Sequence, residues 1–210
     1  MGFGCLFVGY FFANMMPPVG TPLSLAKLIG YPLMIAAFYR LAPYHKRFLH
    51  CFIASFATLP FAVYYGLLGL AEFKVMPQLW FLTGTFYTVV ESCYLAVSAL
   101  IHVLMLLAIF ALTKELQHAD LQGNALRCLI CTGLYTVLRG LMLIPCAMQK
   151  YLFAATMLLW LCMLFMNLFL LFRCYRYICP EGDENMPEPL RIKRRVEEIE
   201  PAEEGEQDGE

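Results

Sequence analysis

The amino-acid sequence predicts an all-α integral membrane protein: a polytopic bundle of six transmembrane helices followed by a disordered acidic C-terminal tail. Three observations predict it. Hydrophobic residues make up 60% of the 210 positions and the mean hydropathy is +0.64, where soluble domains sit nearer half apolar. Long apolar stretches fill residues 1–177 with only short polar connections between them. Basic residues collect in alternate connections, as the energetics of translocating cations demands. A soluble fold of this length would need more polar side chains to cover its surface.

A helix needs about 20 apolar residues to cross a hydrocarbon core of about 30 Å, because each residue rises about 1.5 Å. The first stretch, 2–16, is the shortest, reaching about 24 Å with Met1 included. It lacks the basic start and small-residue cleavage site of a signal peptide, so a retained helix ending at Pro17 and Pro18 is expected. The second, 21–42, opens on Thr21 as N-cap and Pro22 as first helical residue, and contains Lys27 and Pro32. The third, 48–71, carries His50 and Pro60, the latter predicting a kink. Glu91 and His102 interrupt the apolar run of the fourth, 80–113, which starts near Trp80 and overhangs the membrane at its far end. The fifth, 126–149, holds Arg139, with Asn124 expected as N-cap and Pro145 near its close. The sixth, 151–173, is uncharged until Arg173, and Arg176 follows. Residues 1–179 therefore form one transmembrane domain and 180–210 a tail.

Charge placement predicts that both termini are cytoplasmic, in a cell membrane. Of the 15 Lys and Arg, Arg40, Lys46, Arg47, Lys114, Arg127, Arg173, Arg176, Arg191, Lys193, Arg194 and Arg195 then lie inside and only Lys74 and Lys150 outside. The same alternation requires an even number of crossings, which keeps the short first helix. The tail from Glu181 onward holds twelve acids and four bases, so its charge of about −8 hides within a chain net of −1. Its prolines and scarcity of large apolar residues predict disorder. Its basic cluster at Arg191–Arg195 reinforces orientation, while the neighbouring acids offset attraction to anionic headgroups.

Nine cysteines are scattered through the membrane part. Cys128 and Cys131 have redox or metal spacing, but zinc needs two more ligands and no matching pair exists, so they are expected to act as small hydrophobes. No cofactor, metal or nucleic acid is implied. No nucleotide-binding, metalloprotease or nucleophile-elbow motif occurs, and the chain is not expected to be an enzyme.

Charges at bilayer depth are costly and mostly face the bundle interior. Lys27, Glu91 and Arg139 qualify. Glu91 and Arg139 fall on consecutive antiparallel helices at similar expected depths, about 15 Å in, and are expected to pair. Lys27 lies nearer the outer interface, where its stem is expected to snorkel toward the headgroups. Thr83, Tyr87, Glu91, Tyr94, Ser98 and His102 follow steps of three and four along one helix face, and Thr132, Tyr135 and Arg139 repeat the pattern on the next helix. Ser98 and His102 stand one turn apart, yet Glu91 lies about 16 Å away along the axis, too far for a catalytic triad. Lys27, Tyr87, Glu91, Ser98, His102, Tyr135 and Arg139 thus form a candidate intramembrane polar site. Two functions fit: a small transport component binding a polar or charged solute alongside partner subunits, or an accessory scaffold whose tail recruits a cytosolic protein and whose polar stripes only lock helices together.

Overall fold

The computed structural model describes residues 2–15, 25–73, 84–143 and 149–178. Among them the chain is helical throughout, without a strand: α1 (Gly2–Asn14), α2 (Ala26–Leu41), α3 (Lys46–Ser55), a 3-10 turn (Phe56–Thr58), α4 (Leu59–Glu72), α5 (Gly84–Glu115), α6 (Ala119–Met142) and α7 (Gln149–Ile178). The segment from α3 through α4 is continuous, so six helical segments follow one another in the order the apolar stretches predict. Four are long and apolar enough to cross a membrane: Lys46–Ala71, Gly84–Glu115, Ala119–Met142 and Tyr151–Ile178. At 13 and 16 residues, α1 and α2 reach about 20 and 24 Å, short of a hydrocarbon core on their own. The residues expected to cap or break helices at Pro17, Pro18, Thr21, Pro22, Trp80 and Pro145 lie outside the described set, as does the tail.

Pro60 acts where the sequence places it. It is the second residue of α4 and has no amide proton to offer the Phe56 carbonyl. The Leu59 amide takes that carbonyl instead, in a three-residue hydrogen bond, and the helix tightens into the 3-10 turn. Ser55 and Thr58 turn their hydroxyls onto the carbonyls of Cys51 and Ser55, each at 2.6 Å, which satisfies them at the 3-10 turn.

Asn124 is not an N-cap. The sixth helical segment's predecessor, α6, begins five residues earlier, at Ala119, because α5 runs on to Glu115 and closes in a tight turn. Gln117 adopts φ +54° there, and the Gln117 and His118 amides return to Lys114 and Thr113, as in left-handed helix terminations. At this end His45 caps α3 through its Nδ1, which accepts from the Arg47 amide at 3.0 Å. Its Nε2 reaches Glu115 at 3.2 Å, tying the start of α3 to the end of α5.

Neighbours in sequence are neighbours in space. α1 packs on α2, α2 on α3 and α4, α3 on α5, α5 on α6, α6 on α7, and α7 returns to α1, closing a ring. Against expectation for so short a segment, α1 is deeply buried: Phe3, Leu6 and Tyr10 are fully enclosed. Its approach to α2 depends on glycine. A Cβ on Gly30 would stand 2.3 Å from the Ala13 amide nitrogen, and one on Gly9 2.8 Å from that of Met34.

The outside of the bundle is apolar. Ile130, Leu134, Val137 and Leu141 on α6, and Leu158, Leu161, Phe165, Phe169 and Phe172 on α7, are exposed at helical spacing. Glu91 and Arg139 are buried inside while these apolar side chains face outward, the arrangement that suits a lipid environment.

Candidate functional site

The bundle end at which α5 starts and α6 finishes, taken as the upper end, gathers Lys27, Glu91 and Arg139. Glu91 projects inward from α5 and Arg139 from α6, and the Arg139 guanidinium donates to Glu91 Oε1 in a buried ion pair. Each residue is only 8% exposed. Tyr65, from α4, donates its hydroxyl to Glu91 Oε2. One carboxylate therefore joins three helices, with both oxygens occupied. α6 closes at Met142 with Leu143 as its C-cap, so Arg139 stands one turn from the end of that helix.

The Lys27 ammonium lies over the ring of Tyr65, 3.7 Å from the centroid, and 4.4 Å from that of Tyr94. Both distances are well inside cation–π range. The two rings meet at 4.9 Å and 68°, forming a corner around the ammonium. The hydroxyls of Tyr94 and Tyr31 are 2.6 Å apart, which braces Tyr94 against α2. Tyr87 is half-buried one turn above Glu91. Tyr135 is half-buried one turn before Arg139, within electrostatic reach of Arg139, Tyr94 and Glu91. Thr83 lies outside the described residues.

A second polar group occupies the middle of the bundle, about 16 Å below Glu91 along α5. His102 Nδ1 lies 2.6 Å from the Ser98 carbonyl and 3.4 Å from the Ser98 hydroxyl. A carbonyl only accepts, so the closer contact assigns the proton to Nδ1 and leaves Nε2 as a lone pair. The serine hydroxyl thus faces no base, and Glu91 is far away, so Ser98 and His102 lack the geometry of a nucleophile pair. Tyr10 packs its ring edge-on to His102 at 5.4 Å. Its hydroxyl accepts from Asn167 Nδ2 at 2.7 Å, and Thr132 Oγ1 is 3.5 Å from the same nitrogen. His102 Nε2 and Asn167 Oδ1 are buried with no hydrogen-bond partner among the described residues.

The structure therefore brings Lys27, Glu91 and Arg139 into one upper cluster, with Tyr87 and Tyr135 beside it, and sets Ser98 and His102 apart below. Sequence reasoning missed Tyr10, Tyr31, Tyr65 and Asn167. Asn167 carried a signal, as an amide in an otherwise almost wholly apolar span. The three tyrosines carried none, since tyrosine recurs through this chain at interfaces and core alike. Among the described residues no three His, Cys, Asp or Glu side chains converge for metal binding.

The Tyr65 contacts separate by substitution. Tyr65→Phe retains the ring beneath Lys27 but removes the donor to a buried carboxylate, a hydrogen bond worth about 1.5 to 3 kcal/mol. The expected result is a lower thermal midpoint in detergent, with Tyr65→Leu lower still because the π face is lost as well.

No protein-family model matches the chain, and no curated protein or solved structure is significantly similar to it.

Proposed function

We propose that this chain is a small multi-pass membrane protein that binds a polar or charged solute inside its helical bundle and serves as a component of a transport system. The observation that carries the proposal is spare hydrogen-bonding capacity in the interior. The α5 face bearing Tyr87, Glu91, Tyr94, Ser98 and His102 turns into the bundle from the upper end to its middle, and it ends beside two buried acceptors, His102 Nε2 and Asn167 Oδ1, without partners. An unsatisfied buried acceptor costs about 1 to 3 kcal/mol. Packing alone gives no reason to keep two, whereas a solute or the water it displaces supplies the missing donors.

The experiment is thermal unfolding of the full chain in lipid nanodiscs against amines, carboxylates, amino acids, polyols and phosphates. A solute that raises the midpoint in wild type, and loses that effect in His102→Phe or Asn167→Leu, is the expected result. A second reading has its own support. Both oxygens of Glu91 are taken by Tyr65 and Arg139, a closed network of the kind that locks helices in a scaffold. Under it the tail recruits a cytosolic partner. Stabilisation by none of the five classes, with a soluble protein retained stoichiometrically through the tail, would establish the scaffold instead.

The working topology is six crossings in the cell membrane, α1 and α2 included, with both termini cytoplasmic. The distribution of Lys and Arg supports it. It predicts opposite faces for the exposed residues His118 and Phe73. In intact cells cleared of native thiols, an impermeant maleimide is expected to label Cys at position 73 and spare Cys at position 118; the reverse pattern inverts the protein, and labelling of both or neither removes the alternation.

A further inference from the structure

We propose that Tyr65 and Tyr94 form a cage for an organic cation, and that Lys27 is a tethered occupant which such a ligand displaces. This rests on the solute-binding reading of the interior and adds to it a separate subsite in the upper cluster, with its own class of solute. Two aromatic faces meet the Lys27 ammonium at 3.7 and 4.4 Å, and the attraction is strongest where the cation is partly desolvated, as half-buried Lys27 is. Each ring is held by its own hydroxyl, Tyr65 on Glu91 and Tyr94 on Tyr31. The π faces are therefore preorganised independently of the lysine. Among the described residues no carboxylate is in ion-pair range of the Lys27 ammonium, so the rings are what retains it.

The lysine is also placed to leave. It is the second residue of α2, on a flexible four-carbon stem close to the end of the bundle. The next residue, Leu28, seats against Gly66, where a Cβ would come within 2.6 Å of Leu28 Cδ1. That contact holds α2 against α4 beside the cage while Lys27 itself swings. Exchange of one cation for another leaves the charge beside Glu91 and Arg139 unchanged. An anion would instead meet the Glu91 carboxylate and keep the lysine in place.

The test uses the full chain in nanodiscs of neutral lipid, with choline chloride, its uncharged isostere 3,3-dimethyl-1-butanol, and sodium acetate at matched ionic strength. Choline is expected to raise the unfolding midpoint of wild type and to bind Lys27→Met about tenfold more tightly, because a tethered competitor at millimolar effective concentration has been removed. The isostere and acetate are expected to do neither, and Tyr94→Leu in the Lys27→Met background is expected to abolish the shift. A second measurement needs no variant: choline should increase several-fold the rate at which an amine-reactive anhydride modifies Lys27, read by mass spectrometry. Equal binding to wild type and Lys27→Met, equal stabilisation by the isostere, stabilisation by acetate that depends on Lys27, or an unchanged modification rate would each overturn the cage. If another solute class stabilises the protein while choline does not, the cage alone falls; if no class does, the solute-binding function falls with it.

Discussion

Glu91→Gln and Arg139→Gln are each expected to destabilise the solubilised protein by about 2 to 4 kcal/mol, and the double variant to recover much of that loss. The two side chains are joined in an ion pair at 8% exposure each. Neutralising Glu91 takes the carboxylate charge away from the enclosed guanidinium. Neutralising Arg139 leaves the carboxylate with Tyr65 alone. The double change leaves two amides, which can hydrogen-bond to one another and carry no charge to compensate. Soluble proteins lose about 3 to 5 kcal/mol when one partner of a buried pair is removed, and the lower range here reflects water entry near the end of α6. Exchanging the charges is expected to rescue less, because the Arg139 fork and the Tyr65 hydroxyl are both set for a carboxylate on α5. Thermal unfolding of the four variants in one detergent gives the coupling energy, and additive single effects would show that the ion pair does not form.

Gly30→Leu is expected to remove the folded protein altogether, and Gly30→Ala to cost about 3 kcal/mol or more. A Cβ at Gly30 would lie 2.3 Å from the Ala13 nitrogen, 2.7 Å from its Cα and 2.8 Å from the Phe12 carbonyl carbon. All three are backbone atoms of a helix, so relief requires α1 and α2 to part. Overpacking that forces such shifts costs about 1 to 3 kcal/mol in soluble cores and can cost more. Parting the two helices also withdraws Tyr10 from Asn167 and His102. Gly66→Ala is the milder comparison, since the nearest atoms its Cβ would meet belong to the Leu28 side chain rather than to backbone. Fluorescence-detected gel filtration should show a monodisperse peak for Gly66→Ala, a weakened one for Gly30→Ala and aggregate for Gly30→Leu; wild-type behaviour of Gly30→Leu would mean that α1 and α2 are not in close contact.

The order and approximate extent of the helical segments were legible in the chain because hydrocarbon solvation acts on each stretch by itself, through length and apolar content. The inward stripe on α5 was legible for a similar local reason. Steps of three and four place Tyr87, Glu91, Tyr94, Ser98 and His102 on one side of any α-helix. Meeting of Glu91 and Arg139 could be anticipated from a short antiparallel connection between consecutive helices. Helix ends were the weak point: Asn124 has the composition of a cap, yet the left-handed turn at Gln117 starts α6 before it.

What the sequence determined by itself is therefore the one-dimensional part: an all-helical chain of apolar segments and the few polar residues among them; it read as six crossings, of which the structure shows four long and apolar enough for a membrane. Tertiary structure decided which of those residues acquired partners. Tyr65 and Tyr94 flank Lys27, Tyr31 holds Tyr94, and Tyr10 links His102 to Asn167, through contacts between helices far apart in sequence. It also made α1, the stretch with the least length to recommend it, an enclosed element of the core. Burial and pairing are properties of the closed ring of helices, set by how nearly Gly9 and Gly30 let two backbones approach, and no periodicity within a single helix records that distance.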